Sequence, residues 1–171
     1  MAKFTWTSES TVELDADSSV HPIHGEIGGL RGEAQVEVAD GKLVPDGATA
    51  WIEADVSQLK TGKKLEDMAL SKQIDAKRYP TVRYEVRSVE GGPDSYKLNG
   101  TFTFHGETQE FVEECKASLD NGKLRVEGEH TFDIRDFGVK PFKILSMQIK
   151  PEVRLIVKLV GTEGSGGGMW G

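Results

Sequence analysis

Apolar and polar residues alternate with a period of two along most of this sequence, and turn residues break the alternation at short intervals. That pattern fits strands with one buried and one wetted face. Phe4 and Trp6 open it, then Val12, Leu14 and Ala16, then Val20 to Ile27, then Ala34, Val36 and Val38. "ADGKLVPDGA" holds two Asp-Gly steps, which read as turn chemistry before a strand of Trp51, Ile52, Ala54 and Val56. "EGGPDS" breaks the pattern ahead of Leu98, Phe102 and Phe104. "LDNGKL" carries Asn-Gly, a strong hairpin signal, between Phe111–Leu119 and Leu124–Ile134. Val153, Leu155, Val157 and Leu159 make the last strand.

Connections this short argue against parallel βαβ units and for an all-β antiparallel sandwich or barrel. Closure hides strand edges, and about eight strands enclose room for side chains or one small ligand. The expected fold is a closed antiparallel barrel of about eight strands with one short helical insertion. Residues 1–160 form its single domain, and 161–171, "GTEGSGGGMWG", read as a Gly/Ser-rich tail. Met169 and Trp170 in that tail could pack into a groove or a neighbour's barrel, so a homodimer is one assembly to test.

The helical insertion is "GKKLEDMALSKQIDAK", with Leu65, Met68, Ala69 and Ile74 near helical spacing. It meets "DAKRYPTVRYEV". Proline disfavours the α region for the residue before it, so the helix is expected to stop at Tyr79. Pro80, without an N–H, suits the start of a strand.

Composition narrows the partners. A net charge of −7 in 171 residues opposes a nucleic-acid backbone and anionic membrane surfaces. The most apolar run, "VRLIVKLV", is charged and too short for stable membrane insertion. Cys115 is the sole cysteine, so no internal disulfide forms. "MAKFTWTSES" shows no apolar signal region, and the expected compartment is cytoplasmic.

Four segments in order resemble the YceI-like family, lipocalin-like proteins associated with polyisoprenoid binding. They are "DVSQLKTGKKLEDMAL", "DAKRYPTVRYEV", "YKLNGTFTFHGET" and "FDIRDFGV". The resemblance runs from about Leu30 to Val160 and is loose before Leu30; "KQIDAK" stands where many members carry a Phe-Phe pair. It implies a barrel around an elongated apolar cavity that takes amphiphilic, often isoprenoid, chains, with the helix near the mouth.

Aromaticity and alternation phase nominate cavity residues: Trp51, Ile52, Tyr79, Val82 and Tyr84, with Phe102, Phe104, Phe132 and Phe142. His130 shares phase with Val126, Phe132 and Ile134 and is expected inside, as a satisfied core histidine or as a partner for a polar head group. Glu113 shares phase with Phe111 and Cys115. A bulge at Glu113-Glu114 is expected to turn it outward, because a lone buried carboxylate is costly. Cys115 reads as a small buried hydrophobe and His105 as a surface residue.

His21 and His24, three apart, point to opposite faces of a strand and lack a third ligand, so no metal is expected. Arg135 and Asp136 are expected to pair at a barrel corner. Lys60, Lys63, Lys64 and Lys72 read as a solvated basic face, or as a lure for an anionic head group.

Three functions follow: a carrier of an amphiphilic small molecule, a filled barrel acting as an interaction module, and an enzyme using His130 and Glu113 as an acid–base pair. The residues support them in that order. The expectation is a non-enzymatic lipid or isoprenoid binder without a cofactor.

Overall fold

The computed structural model describes residues 1–163, most of them extended. β1 (Ala2–Trp6) and β2 (Thr11–Ser18) precede two long strands, β3 (Ile23–Ala39) and β4 (Lys42–Lys60). After α1 (Lys64–Gln73) come β5 (Thr81–Gly91), β6 (Tyr96–Phe104), β7 (Glu107–Asp120) and β8 (Lys123–Asp133). A 3-10 turn over Ile134–Phe137, a two-residue β9 (Lys143–Ile144) and β10 (Met147–Glu163) follow.

β2 to β8 pair in sequence order, all antiparallel. β10 then closes the ring. One edge runs along β8, from Glu152 opposite Asp133 to Thr162 opposite Lys123. Its other edge meets β2 and then β1, with Lys158 opposite Thr11 and Gly161 opposite Trp6. β1 also pairs with β3, so β1 and β2 act as one broken stave between β10 and β3. The result is a closed eight-stave antiparallel barrel. Among the described residues every stave of the barrel is paired on both sides, β7 and β8 with each other along only part of their length.

Turn chemistry accounts for the connections. Asp40-Gly41, His105-Gly106 and Asn121-Gly122 all have positive φ at both residues, the geometry that matches strand twist in tight hairpins. Asp46-Gly47 does not turn the chain, contrary to the sequence reading. Gly47 has φ 79° inside β4, at a register shift opposite Gln35–Glu37, and the strand continues through it as a bulge. β10 likewise runs to Glu163, so Gly161, Thr162 and Glu163 are strand rather than tail, held by pairing with β1 and β8. Met169 and Trp170 lie outside the described residues.

The helix ends earlier than proline would require. Asp75 adopts a left-handed conformation (φ 52°), while Asp75 N–H and Ala76 N–H donate to Lys72 and Ser71 carbonyls. This is a Schellman stop with Asp where Gly is usual. Tyr79-Pro80 only starts β5. The apolar stripe is also placed differently: Leu65 and Met68 are exposed, and α1 buries Glu66 and Leu70. Leu70 packs with Ile23, Ile144, Met147 and Ile149, so the helix covers one end of the barrel. At the other end Phe4, Trp6, Val36, Leu124 and Leu159 form a second cluster. Each large side chain so buried contributes about 1.5–3 kcal/mol. Among the described residues no helix is long and apolar enough to cross a membrane.

Candidate functional site

Between the two end clusters the barrel interior is crossed by rings. Tyr84 on β5 lies directly opposite Phe102 on β6, and the strand pleat turns both inward. The Phe102 ring centroid stands 4.7 Å from Tyr84, 4.8 Å from His130, 5.0 Å from Phe132 and 5.4 Å from Phe137. Phe111 closes the group edge-on against Tyr84 at 5.1 Å. Offset and edge-to-face contacts of this kind add to the burial energy. Phe102, 1% exposed, is the centre of an aromatic waist.

The waist separates two apolar compartments. One, of about 100 Å³, lies toward Trp6 and is walled by Ile52, Val86, Leu98, Leu124 and Leu159 among others. The second, of about 60 Å³, lies under α1 and is lined solely by apolar residues, including Ile27, Leu70, Ile74, Val82, Phe104 and Phe142. An engineered apolar cavity of about 150 Å³ takes benzene. Both compartments are smaller than that, so in this arrangement each has room for no more than a short hydrocarbon segment. The continuous elongated cavity implied by the family resemblance is interrupted in this conformation.

The nominated cavity residues divide accordingly. Ile52, Val82, Phe104, Phe132 and Phe142 face a compartment, while Tyr84, Phe102 and His130 build the waist. Trp51 and Tyr79 are corrections. Trp51 neighbours the inward Ile52, so alternation sends it outside, where the Arg83 guanidinium sits 4.6 Å over its ring and its carbonyl accepts from Trp6 Nε1–H at 3.0 Å. Tyr79 packs outside the barrel on the β6–β7 turn, 4.6 Å from the His105 ring. A Cβ on Gly106 would come within 2.6 Å of the Tyr79 ring, so glycine makes that seat. Aliphatic walls such as Leu70 and Leu155 escaped a reading ranked by aromaticity; the alternation of β10 carried the signal for Leu155.

Glu113 also departs from expectation. No bulge forms: β7 keeps its register with β6 through Leu98 opposite Glu113, and the side chain stays in the inward phase. The cost of its burial is relieved by His130, whose Nδ1–H donates to Glu113 Oε1 at 2.7 Å. The side chains of His130 and Glu113 are 12% and 32% exposed. The Tyr84 hydroxyl nearby is enclosed and makes no hydrogen bond among the described residues. Burial, with the Glu113 charge adding to it, pushes the Tyr84 phenol well above its ordinary value.

Other candidates lie elsewhere. His24 is exposed and bonds to Asp15, while the His21 ring meets the Pro22 carbonyl. Among the described residues no three His, Cys, Asp or Glu side chains gather as a metal site. His105 is half-buried, its Nδ1–H donating to the Phe137 carbonyl at 3.0 Å, rather than free on the surface. Arg135 pairs with Asp133 at 2.6 Å, not with Asp136, because Asp133 caps the 3-10 turn that Arg135 belongs to. Cys115 is buried, and burial pushes its thiol up to about 11. Lys60, Lys63, Lys64 and Lys72 make no ion pair with an acidic side chain among the described residues.

Comparisons with known proteins agree with this architecture. The chain resembles BcnA of Burkholderia cenocepacia with a TM-score of 0.77 at 20% identity, covering 91% of this chain and 98% of that one. A polyisoprenoid binding domain from Saccharophagus degradans, implicated in plant cell wall breakdown, gives 0.75 at 13% identity over 96% and 99%. The YceI protein of Campylobacter jejuni gives 0.66 at 15% identity over 82% and 84%. No curated protein matches the sequence. The model of the YceI-like domain matches residues 6–161, which takes in β2 and the start of β3, where the sequence resemblance was loose. The chain belongs to the YceI-like family.

Proposed function

We propose that this barrel binds an amphiphilic small molecule through an apolar tail of isoprenoid or fatty-acyl type. The observation that carries the reading is the compartment under α1, whose lining is apolar throughout. A tail buried there gains about 0.8 kcal/mol per methylene. The polyisoprenoid binding domain of Saccharophagus degradans, which shares the fold, supports the same ligand class. A long tail has to pass the waist, so binding couples to rotation of the Phe102 and Tyr84 rings; a ligand that prefers the open arrangement shifts the population toward it. This role requires no turnover by Glu113 and His130.

Extraction of purified protein with organic solvent, followed by mass spectrometry, tests the reading together with uptake of a fluorescent fatty-acyl or isoprenoid probe. Co-purified lipid or saturable uptake supports it. A second reading is favoured by the packing of Phe102: a barrel filled by its own side chains, acting as an interaction module. Absence of lipid together with absence of uptake selects that one.

A further inference from the structure

The ladder between β7 and β8 is incomplete. It runs from Asp120 opposite Lys123 to Cys115 opposite Gly128 and stops there. Beyond that point β7 pairs only with β6, and β8 only with β10. Side chains bridge the opening: His130 to Glu113, and Gln109 Nε2–H to the Asp136 carbonyl at 2.6 Å. A surface groove of about 860 Å³ runs along the outside, with Val112, Glu113, Cys115, Gly128 and Ile156 in its walls. Glu113 thus borders both the groove and the aromatic waist.

The hydrogen-bonding capacity at this point is unspent. A carboxylate only accepts, so the bond to Glu113 places the proton on Nδ1 of His130; in the neutral ring Nε2 is then an acceptor. Nε2 makes no hydrogen bond among the described residues. The Tyr84 ring stands edge-on to His130 at 5.3 Å. Tyr84 is half-buried as a residue, yet its hydroxyl is fully enclosed and without a partner. An enclosed hydroxyl left unbonded is costly and uncommon in folded proteins. One enclosed donor, the Tyr84 hydroxyl, and one acceptor that is not fully enclosed, His130 Nε2, match a group that can both donate and accept.

We propose that Tyr84, His130 and Glu113 form a subsite for the hydroxyl of an apolar alcohol, a prenol or fatty alcohol, placed at the middle of the barrel beside the β7–β8 opening. The ligand hydroxyl donates to His130 Nε2 and accepts from Tyr84 O–H, while Glu113 fixes the imidazole tautomer as a positioning residue. An anionic head is disfavoured by the Glu113 charge and by the desolvation of a second charge among rings. This inference rests on the amphiphile-binding reading and adds where the polar end sits and what it is.

The test compares farnesol, farnesyl methyl ether and farnesene, titrated by calorimetry into the wild-type chain and into Tyr84→Phe and Glu113→Gln. Wild type is expected to bind farnesol about tenfold or more tighter than the ether. Tyr84→Phe removes only an unbonded hydroxyl and should fold; it deletes a donor that the alcohol oxygen and the ether oxygen can both use, so it is expected to weaken farnesol and the ether alike relative to farnesene. Glu113→Gln, which loosens the hold on the imidazole tautomer, is expected to reduce the preference of farnesol over the ether. If wild type binds farnesol and the ether equally, or Tyr84→Phe leaves farnesol and the ether as tight relative to farnesene as wild type does, the subsite is overturned and the carrier reading stands. If none of the three ligands binds, both fall.

Discussion

His130 Nδ1 and Glu113 Oε1 lie 2.7 Å apart across the stretch where β7 and β8 share no backbone hydrogen bonds. The pair closes by side chains a wall that the backbone leaves open. Glu113→Leu strands the His130 N–H among aromatic rings and is expected to destabilise the fold by about 1–3 kcal/mol. Glu113→Gln keeps an acceptor and should cost less. Urea denaturation of the two variants beside wild type checks the order; equal losses would mean that packing alone matters at this position.

Tyr84→Phe should act in the opposite direction on the ligand-free protein. Its hydroxyl is enclosed without a partner, so removing it lifts a desolvation penalty of about 1 kcal/mol or more. A raised denaturation midpoint with an unchanged slope is the expected result.

Asp15 and His24 push each other's titration apart. Hydrogen bonds from Arg154 and then His24 hold the Asp15 carboxyl below its ordinary value, and the bond to Asp15 raises His24 above its own. For His24 the stabilisation is full below the unfolded-state value and is lost as pH rises through the raised one; for Asp15 it is full at neutral pH and is lost as pH falls through the depressed one. Asp15→Asn should therefore lower the His24 midpoint in an NMR titration. The stability difference between wild type and Asp15→Asn should shrink in acid.

Cys115 should be slow toward thiol reagents. Its thiol is pushed up to about 11 by burial, so little thiolate exists at neutral pH. Labelling with a chromogenic disulfide at neutral pH should lag far behind labelling in denaturant. Rapid labelling of the folded chain would show that the β7–β8 opening exposes the sulfur.

Much of this architecture was legible in the residues, and what was not has a definite physical cause. Alternation and the Asn121-Gly122 step carried the strands because period and turn chemistry are local properties. Alternation also told which face His130 occupies. For Glu113 it pointed inward, but the cost of a lone buried carboxylate led to the expectation of an outward turn, because its partner His130 lies on another strand. Alternation did not tell the height at which inward residues meet. Tyr84 and Phe102 share a level through the β5–β6 register, and Phe132 and His130 join them through barrel closure; both are non-local. The same limit hid the gap between β7 and β8, since Glu107–Glu114 reads as an ordinary strand whether or not its second edge is paired. Naming both Trp51 and Ile52 as inward failed on the pleat itself, because adjacent residues in a strand face opposite ways.

The central claim is that the interior admits an apolar tail once the waist yields. Its most direct measurement is saturation binding of a fluorescent long-chain fatty-acyl probe to wild type and to Phe102→Ala, a truncation expected to cost about 3–5 kcal/mol of stability. Saturable binding to wild type, tightened when the central ring is removed from a still-folded variant, is the predicted result. No binding to either protein, with both folded, would contradict it.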